Sequence, residues 1–316
     1  MRRVPLSANR LKASELARVG CSEPEMLVHR RPRLAARAAL GTLPISSRPI
    51  RHCTAVFSLD HLDAIRAAEL DTIASFFPVG ARILEIGAGT GKQALELQRR
   101  GFEVTAIEVA DSNYAAHRVF PIKDYDGRTI PLGDGSVDLV FSSNVLEHVE
   151  DLSRMHAEIR RVLAPGGACI HVLPTHTWRF WTTLTSYLEA ISFFVSSVPQ
   201  LWPQSVRSAT EMRRLRAAWY RTARHTVGLC LPRRHGARGN VISELWLFHP
   251  RWWRRNFRDN GFAVVAEGPV DLFYTGEVLL GLRLGLTKRK RLARLLGSSC
   301  HFFKLEPVAQ RARCCG

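Results

Sequence analysis

Three glycines at alternate positions are the feature of this sequence with the clearest chemical meaning. Residues 83–92 read ILEIGAGTGK, which places Gly87, Gly89 and Gly91 between an apolar run and a segment with helical spacing. Because glycine has no Cβ, such a loop can turn sharply and bring its backbone close to a ligand. A dinucleotide-binding loop has glycine at the first, third and sixth positions, and the sixth position here is Lys92. The phosphate-binding pattern G-x-x-x-x-G-K-S/T does not match either, so the spacing argues against both kinds of site.

The elements that must position this loop alternate between strands and helices. Short apolar runs predict strands at 82–86, 102–108, 137–141, 168–173, 262–267 and 301–305. Apolar residues at three-to-four spacing predict helices from Ser58 to Phe76, from the glycine loop to Arg100, at 151–163 and at 250–260. Strands that alternate with helices at this spacing imply a parallel sheet with right-handed crossovers.

The glycine loop resembles motif I of the class I S-adenosylmethionine-dependent methyltransferases, which reads E/D-x-G-x-G-x-G. Other motifs of that family follow in the expected order. Residues 134–148, DGSVDLVFSSNVLEH, resemble the fourth strand and following loop of the type 11 methyltransferase domain. Residues 163–167, LAPGG, resemble the turn before the fifth strand. The resemblance covers roughly residues 80–175.

This resemblance implies a Rossmann-like α/β fold, with a seven-stranded, mostly parallel sheet and helices on both faces. A helical and aromatic insertion would follow strand five, and 301–305 would be an antiparallel strand seven. We therefore expect a basic, disordered arm at 1–53 and a methyltransferase domain at 54–316. Within that domain we expect a core at 80–175, an insertion at 174–248 that covers the substrate, and C-terminal strands at 249–306.

The resemblance also implies S-adenosylmethionine as the cofactor. Glu108 ends the second predicted strand, where the family places an acid that binds both ribose hydroxyls, and Asp126 matches the acid near the adenine amine. Glu85 would orient the loop or the methionine amino group. The predicted cofactor-binding residues are Glu85, Gly87, Ala88, Gly89, Gly91, Glu108, Asp126 and Asn144. The sequence predicts no metal site.

Methyl transfer needs an aligned acceptor and, for a hydroxyl or ammonium acceptor, a base that removes its proton. The candidate catalytic bases are His148, His176 and His235. His176 follows strand five, and ligands in open α/β folds bind at the carboxyl ends of strands. For each histidine a purely structural role remains the alternative.

The basic charge is concentrated outside the predicted core. The chain of 316 residues has a net charge of +17, with 11 basic and 3 acidic residues in 1–53 and 23 basic and 8 acidic residues in 174–316. Such flanks favour an anionic partner such as a phosphorylated substrate or an acidic membrane, and a solvated surface is the plain alternative. The run Lys288–Arg291 suggests a peripheral membrane contact through a C-terminal helix. In the insertion, aromatic residues suit a hydrophobic acceptor and helix-spaced arginines suit a phosphate or carboxylate, and for the aromatic residues packing within the insertion is the alternative. We expect a small-molecule, lipid-linked or glycan-type acceptor.

Cysteine usage predicts a cytoplasmic protein, associated with a membrane or free. Seven cysteines without a C-x-x-C pair argue against a disulfide framework, and residues 1–53 lack the apolar core of a secretory signal.

Nucleic-acid methylation is disfavoured, because 142–145 read SSNV rather than an adenine-enzyme motif and no Pro-Cys dipeptide occurs. A non-catalytic cofactor-binding protein and a nicotinamide-dependent oxidoreductase are the alternatives from other classes.

Overall fold

The computed structural model describes residues 59–201, 208–231, 234–275 and 284–308. The predicted arm at 1–53 lies outside these residues, as do 202–207 and 232–233 of the predicted insertion. In the described ranges seven strands form one sheet in the order β3-β2-β1-β4-β5-β7-β6. The strands are β1 Arg82–Ile86, β2 Glu103–Val109, β3 Ile122–Tyr125, β4 Val137–Ser143, β5 Leu163–Pro174, β6 Phe262–Pro269 and β7 Cys300–Pro307.

The first five strands pair in parallel, and β7 pairs antiparallel with both β5 and β6. The central strands are apolar on both faces, which is typical of a parallel sheet covered by helices on each side. Leu84 and Ile86 belong to one buried cluster and Ile83 belongs to the other. The predicted seven-stranded, mostly parallel α/β fold is confirmed.

Eight helices of the described chain cover or extend this sheet. They are α1 Leu59–Ile73, α2 Lys92–Arg99, α3 Leu152–Val162, α4 His176–Leu201, α5 Ala209–Cys230, α6 Glu244–Leu247, α7 Pro250–Asp259 and α8 Leu286–Leu296. Side chains fix several helix starts: Asp151 accepts from the N–H of Arg154 at the start of α3, and Ser208 forms a capping box with Glu211 in α5. None of the described helices is both long and apolar enough to span a membrane.

Two local expectations differ from the structure. The strand β3 was not predicted, because Ile122–Tyr125 is a short edge strand with two exposed polar residues at its centre and gives no apolar run. The strand β5 begins at Leu163 rather than Ala168, since Leu163 pairs with Val137 before the register shifts. The Pro-Gly-Gly sequence therefore lies within an irregular part of the strand rather than before it.

The insertion after β5 consists mainly of two long helices, in agreement with the predicted helical and aromatic insertion. Phe193 of α4 packs against His225 of α5 with ring centroids 4.5 Å apart. The first half of α4 is fixed to the domain, where the Trp181 indole donates to the carbonyl of Leu296 at 3.0 Å. The helices α4 and α5 thus form a helical pair whose base is anchored next to α8.

Candidate active site

The glycine loop after β1 is folded tightly against β2. The N–H groups of Gly87 and Ala88 both donate to the carbonyl of Ile107, at 2.9 and 3.1 Å. At Gly87, where φ is 70°, a Cβ would lie 2.4 Å from a Val145 methyl group; at Gly91, where φ is 80°, a Cβ would lie 2.7 Å from the Phe120 Cβ. A side chain at either position would strain the backbone and collide with its neighbour. The alternating glycines are therefore required by the turn itself.

Glu108 holds this loop from the end of β2. One carboxylate oxygen accepts from the Gly89 N–H at 2.9 Å and the other accepts from the Val109 N–H at 2.8 Å. A carboxylate has about four lone-pair positions, so two hydrogen bonds leave about two for a ligand. Glu108 thus both fixes the glycine loop and presents acceptor capacity to the space beside it.

That space is a cavity of about 1060 Å³. The predicted site residues that line it are Gly87, Ala88, Gly89, Glu108, Asp126, Asn144 and His148. They lie at the carboxyl ends of neighbouring parallel strands, where open α/β folds bind ligands. The described residues that line the cavity belong to the segment from Leu62 to Met155, and none belongs to the insertion predicted to cover the substrate.

Glu85 lies behind the loop rather than in the cavity wall. Its side chain is 2% exposed, and one carboxylate oxygen has no hydrogen-bond partner. The carboxylate accepts from the N–H of Ala94, in the first turn of α2. Burial and the nearby Glu108 carboxylate raise the pKa of Glu85 to about 8. Its position suits the predicted role of orienting the loop.

Asp126 and Tyr125 form the wall beyond β3. Asp126 accepts from the N–H groups of Arg128 and Thr129 at 2.8 and 2.7 Å, and these two hydrogen bonds lower its pKa. Tyr125 also lines the cavity, and burial raises its pKa to about 12. The tyrosine was missed in the sequence because β3 itself was missed.

Asn144 begins the opposite wall, immediately after β4. It has a positive φ of 55°, which is uncommon outside glycine, and its N–H donates to the carbonyl of Val172 at 2.8 Å. With the amide oxygen turned toward α1, Asn144 accepts from Arg66 at 2.5 Å. Arg66 in turn pairs with the fully buried Glu69 at 2.6 Å, and Arg66 also lines the cavity. Arg66 was not among the predicted site residues, since in the sequence it is one polar residue of the helix predicted from Ser58 to Phe76.

The structure brings two of the three candidate histidines together. The rings of His148 and His235 lie edge to face with centroids 4.8 Å apart, and His148 lines the cavity. Burial and the charge of Arg238 lower the pKa of His148, and burial, His148 and nearby arginines lower that of His235 to about 4. His176 is placed elsewhere: it starts α4, packs against His249 at 4.5 Å and does not line the cavity.

A buried ion pair fixes the loop that carries His235. The Glu244 carboxylate, which is fully buried, accepts from the N–H groups of His235 and Gly236 at 2.6 and 2.8 Å. It also pairs with Arg179 of α4 at 2.9 Å. The Ala237 N–H donates to the carbonyl of Glu147 at 2.9 Å, so this loop is bonded to the backbone beside the cavity. Through this loop, the predicted insertion reaches the edge of the site.

Comparison with known proteins identifies the central segment. A family described as "Methyltransferase domain" matches residues 84–171. This segment is a class I methyltransferase domain. The match includes the glycine loop, Glu108, Asp126 and the β4 loop, and the family's cofactor is S-adenosylmethionine, as the sequence predicted.

The similarity to individual proteins covers different shares of this chain. An uncharacterized methyltransferase of Mycobacterium sp. (strain KMS) is 36% identical over 97 residues, 29% of this chain and 38% of the relative. The ubiquinone biosynthesis O-methyltransferase of Paramagnetospirillum magneticum is 27% identical over 53% of this chain and 66% of its own length. A crystal structure of a SAM dependent methyltransferase from Aquifex aeolicus is 14% identical, with a TM-score of 0.43, over 79% of this chain and 96% of that one. The chain thus spans less than half of the Mycobacterium relative.

The residues of the methyltransferase domain fit this cofactor. Gly87 and Gly89 line the cavity, and because neither has a Cβ they present their backbone to a ligand there. Glu108 retains acceptor capacity for two ribose hydroxyls, and Asp126 lies on the same cavity wall as Tyr125.

We predict that Glu108→Ala weakens the binding of S-adenosylmethionine by at least about tenfold, or about 1.4 kcal/mol, because the loop and the ribose hydroxyls lose a common acceptor. Isothermal titration measures this change. Glu103→Ala is the matched control, since Glu103 is an exposed acid at the other end of β2. Equal affinity in the Glu108 variant and the wild type would refute the assignment of the ribose site.

We predict that Glu85→Gln makes the cofactor-free protein less sensitive to pH. A raised pKa means that the folded state holds a proton that the unfolded state has lost, so the free energy of unfolding contributed by Glu85 is full below about pH 4.5 and is lost as the pH rises through about 8. Urea unfolding at pH 5, 6, 7 and 8 should therefore show a shallower decline for Glu85→Gln than for the wild type. The variant Glu103→Gln should follow the wild type; a parallel decline for all three proteins would disprove the role of Glu85.

Proposed function

We propose that this protein transfers a methyl group from S-adenosylmethionine to a hydroxyl-bearing acceptor. The observation that carries this proposal is the cavity between the glycine loop and the β4 loop, with Glu108 on one wall and His148 on the other. Methyl transfer from a sulfonium is an in-line displacement that depends mainly on alignment and on the exclusion of water. When bound, the cofactor supplies the methyl group.

The residues of this chain support that chemistry in separate ways. Gly87 and Gly89 allow backbone contact, Glu108 binds the ribose, and His148 faces the cavity from the wall opposite Glu108. The side chain of His235 reaches His148 because the Glu244–Arg179 pair fixes its loop. His148 and His235 are therefore positioned to act on an acceptor hydroxyl.

The surface of α4 supports a lipid-linked acceptor. A row of apolar residues, which we call the α4 stripe, follows one side of the helix at three-to-four spacing, and each member exposes between 38% and 62% of its surface: Phe180, Leu184, Leu188, Ile191 and Val195. The adjacent α5 exposes five arginines, Arg213, Arg214, Arg216, Arg221 and Arg224. An apolar row beside basic side chains suits the boundary of an anionic membrane.

Similar proteins include a "Demethylmenaquinone methyltransferase" and the "Ubiquinone biosynthesis O-methyltransferase", both named for quinones.

The contact predicted through the basic run at 288–291 is only partly supported. Lys288, Lys290 and Arg291 are exposed on α8, but Arg289 is 2% exposed and donates to the carbonyls of Leu284 and Phe273. One of the four charges is therefore used inside the fold. We propose the α4 stripe as the main membrane contact, with the rest of the α8 run in a secondary role.

We predict micromolar binding of both S-adenosylmethionine and S-adenosylhomocysteine to the purified protein, and no binding of NADH. Isothermal titration with the three compounds measures this directly, and circular dichroism confirms that the sample is folded. Binding of NADH would favour the oxidoreductase alternative. A folded sample that binds none of the three would favour the non-catalytic alternative.

We predict that the full-length protein sediments with vesicles of phosphatidylcholine and phosphatidylglycerol, and much less with phosphatidylcholine alone. The double variant Ile191→Ser, Val195→Ser should weaken this binding by at least about tenfold, because two exposed aliphatic side chains no longer enter the membrane. Val265→Ser removes an exposed aliphatic side chain from β6, away from α4, and serves as the control. If Lys288→Ser, Lys290→Ser abolishes binding while the α4 variant retains it, the basic helix is the contact instead.

A further inference from the structure

Glu147 is a buried carboxylate that the methyl-transfer cavity does not account for. It lies in the short turn Leu146–His148 after β4, its side chain is 1% exposed, and neither of its carboxylate oxygens has a hydrogen-bond partner. Burying a carboxylate without partners costs several kcal/mol. A buried carboxylate without a partner at the edge of a ligand cavity indicates a binding site whose ligand partners that carboxylate.

Two imidazoles face this carboxylate. The Glu147 Oε1 atom lies 3.7 Å from His148 Nε2 and 4.0 Å from His235 Nε2. One ligand atom from each of the three residues lies within 4.8 Å of the others. These separations are too long for hydrogen bonds. They approach the spacing of about 3.4 Å expected between neighbouring ligands of a four-coordinate ion with bonds of about 2.1 Å.

The nearby arginines are bonded elsewhere. Arg238 donates to the carbonyls of Val149 and Leu146, and Arg66 pairs with Glu69. Both guanidinium groups interact with Glu147 only through their charge, and neither forms an ion pair with it in the described structure. One carboxylate oxygen of Glu147, Oε1, therefore faces the two imidazoles and forms no ion pair with an arginine in the described structure.

The protein also holds the most distant of the three residues in place. His235 belongs to the loop that Glu244 and Arg179 fix, and Ala237 of that loop bonds to the Glu147 carbonyl. A Cβ at Gly236 would lie 2.8 Å from the same carbonyl, so glycine allows the two backbones to approach. Two segments distant in sequence are thus bonded together at the point where the three side chains meet.

We propose that Glu147, His148 and His235 form a three-ligand site for a divalent transition-metal ion, with its open position toward the cavity. Two imidazole nitrogens and one carboxylate oxygen suit Zn²⁺, Fe²⁺, Mn²⁺ or Co²⁺ rather than Mg²⁺, which prefers oxygen ligands. His148 connects the site to the cavity, because it also lines the cavity wall.

The ion has a defined use if the proposed methyl transfer is correct. The oxygen of an acceptor hydroxyl would bind at the open position, where the ion lowers its pKa and the hydroxyl proton passes to water. The oxygen then attacks the methyl carbon, the carbon–sulfur bond breaks, and S-adenosylhomocysteine leaves. In this arrangement the two histidines act as ligands rather than as bases. This use rests on the proposed function, whereas binding of the ion does not.

Titration of the metal-stripped, full-length protein with Co²⁺ alone tests the site, because the visible spectrum of Co²⁺ reports its ligands. Thiolates are good ligands for transition metals, so all measurements use a Cys314→Ser, Cys315→Ser background that removes the vicinal cysteines. We expect one bound ion per chain, with a visible spectrum typical of Co²⁺ at a low coordination number and without a sulfur charge-transfer band. Zn²⁺ should displace the bound Co²⁺.

Variants decide whether the ion occupies these three residues. Glu147→Gln and His235→Asn should each weaken Co²⁺ binding at least tenfold. His249→Asn should not, since it removes an imidazole from the separate His176–His249 pair. Circular dichroism and binding of S-adenosylmethionine show that each variant is folded. Absence of Co²⁺ binding in the background protein, or equal binding in Glu147→Gln, would overturn the proposal.

The two proposals fail in different ways. A protein that binds one Co²⁺ through these residues but neither sulfur nucleotide retains the metal site and disproves the methyltransferase function. A protein that binds S-adenosylmethionine with equal affinity with and without Co²⁺, and binds Co²⁺ equally in all variants, retains the cofactor site and disproves the metal site.

Discussion

The attachment of the glycine loop to β2 is the constraint on which the rest of the site depends. Gly87 and Ala88 share the carbonyl of Ile107, and Glu108 accepts from Gly89, so the loop cannot move without breaking bonds to the neighbouring strand. This attachment requires β1 and β2 to be parallel neighbours in the observed register, which places Ile86 opposite Ile107. The cavity is therefore a product of strand pairing as much as of loop sequence.

The cavity wall formed by the β4 loop depends on side chains from other segments of the chain. The β4 loop is short and strained at Asn144, and it is supported from outside the central segment by Arg66 of α1 and by the loop that carries His235. The latter support depends on the buried pair between Glu244 and Arg179, which joins α6 to α4 within the insertion. Removing one member of such a pair leaves an uncompensated buried charge, so the loop that carries His235 is held by electrostatics as well as by packing.

The sequence predicted the parts of the fold that local pattern determines. The strand β1 is a continuous apolar run before glycines, and its bounds, Arg82–Ile86, agree with the prediction. The strand β3 was missed because an edge strand with exposed Lys123 and Asp124 has no apolar signature. The cofactor loop and Glu108 could be recognised because their spacing is fixed along the chain. The meeting of His148 with His235 could not, since it depends on tertiary contacts between distant segments, and Glu147 reads in the sequence as an ordinary surface acid.

The position of β7 between β5 and β6 has a consequence for the order in which the chain can fold. All strands that form the cavity wall, β1 to β4, precede the insertion, so they can assemble during synthesis before the later part has emerged from the ribosome. In the sheet β6 pairs only with β7, and β7 is made after it. The edge of the sheet therefore remains open until residues 300–307 are available, and β7 then joins β6 to the core that has already formed.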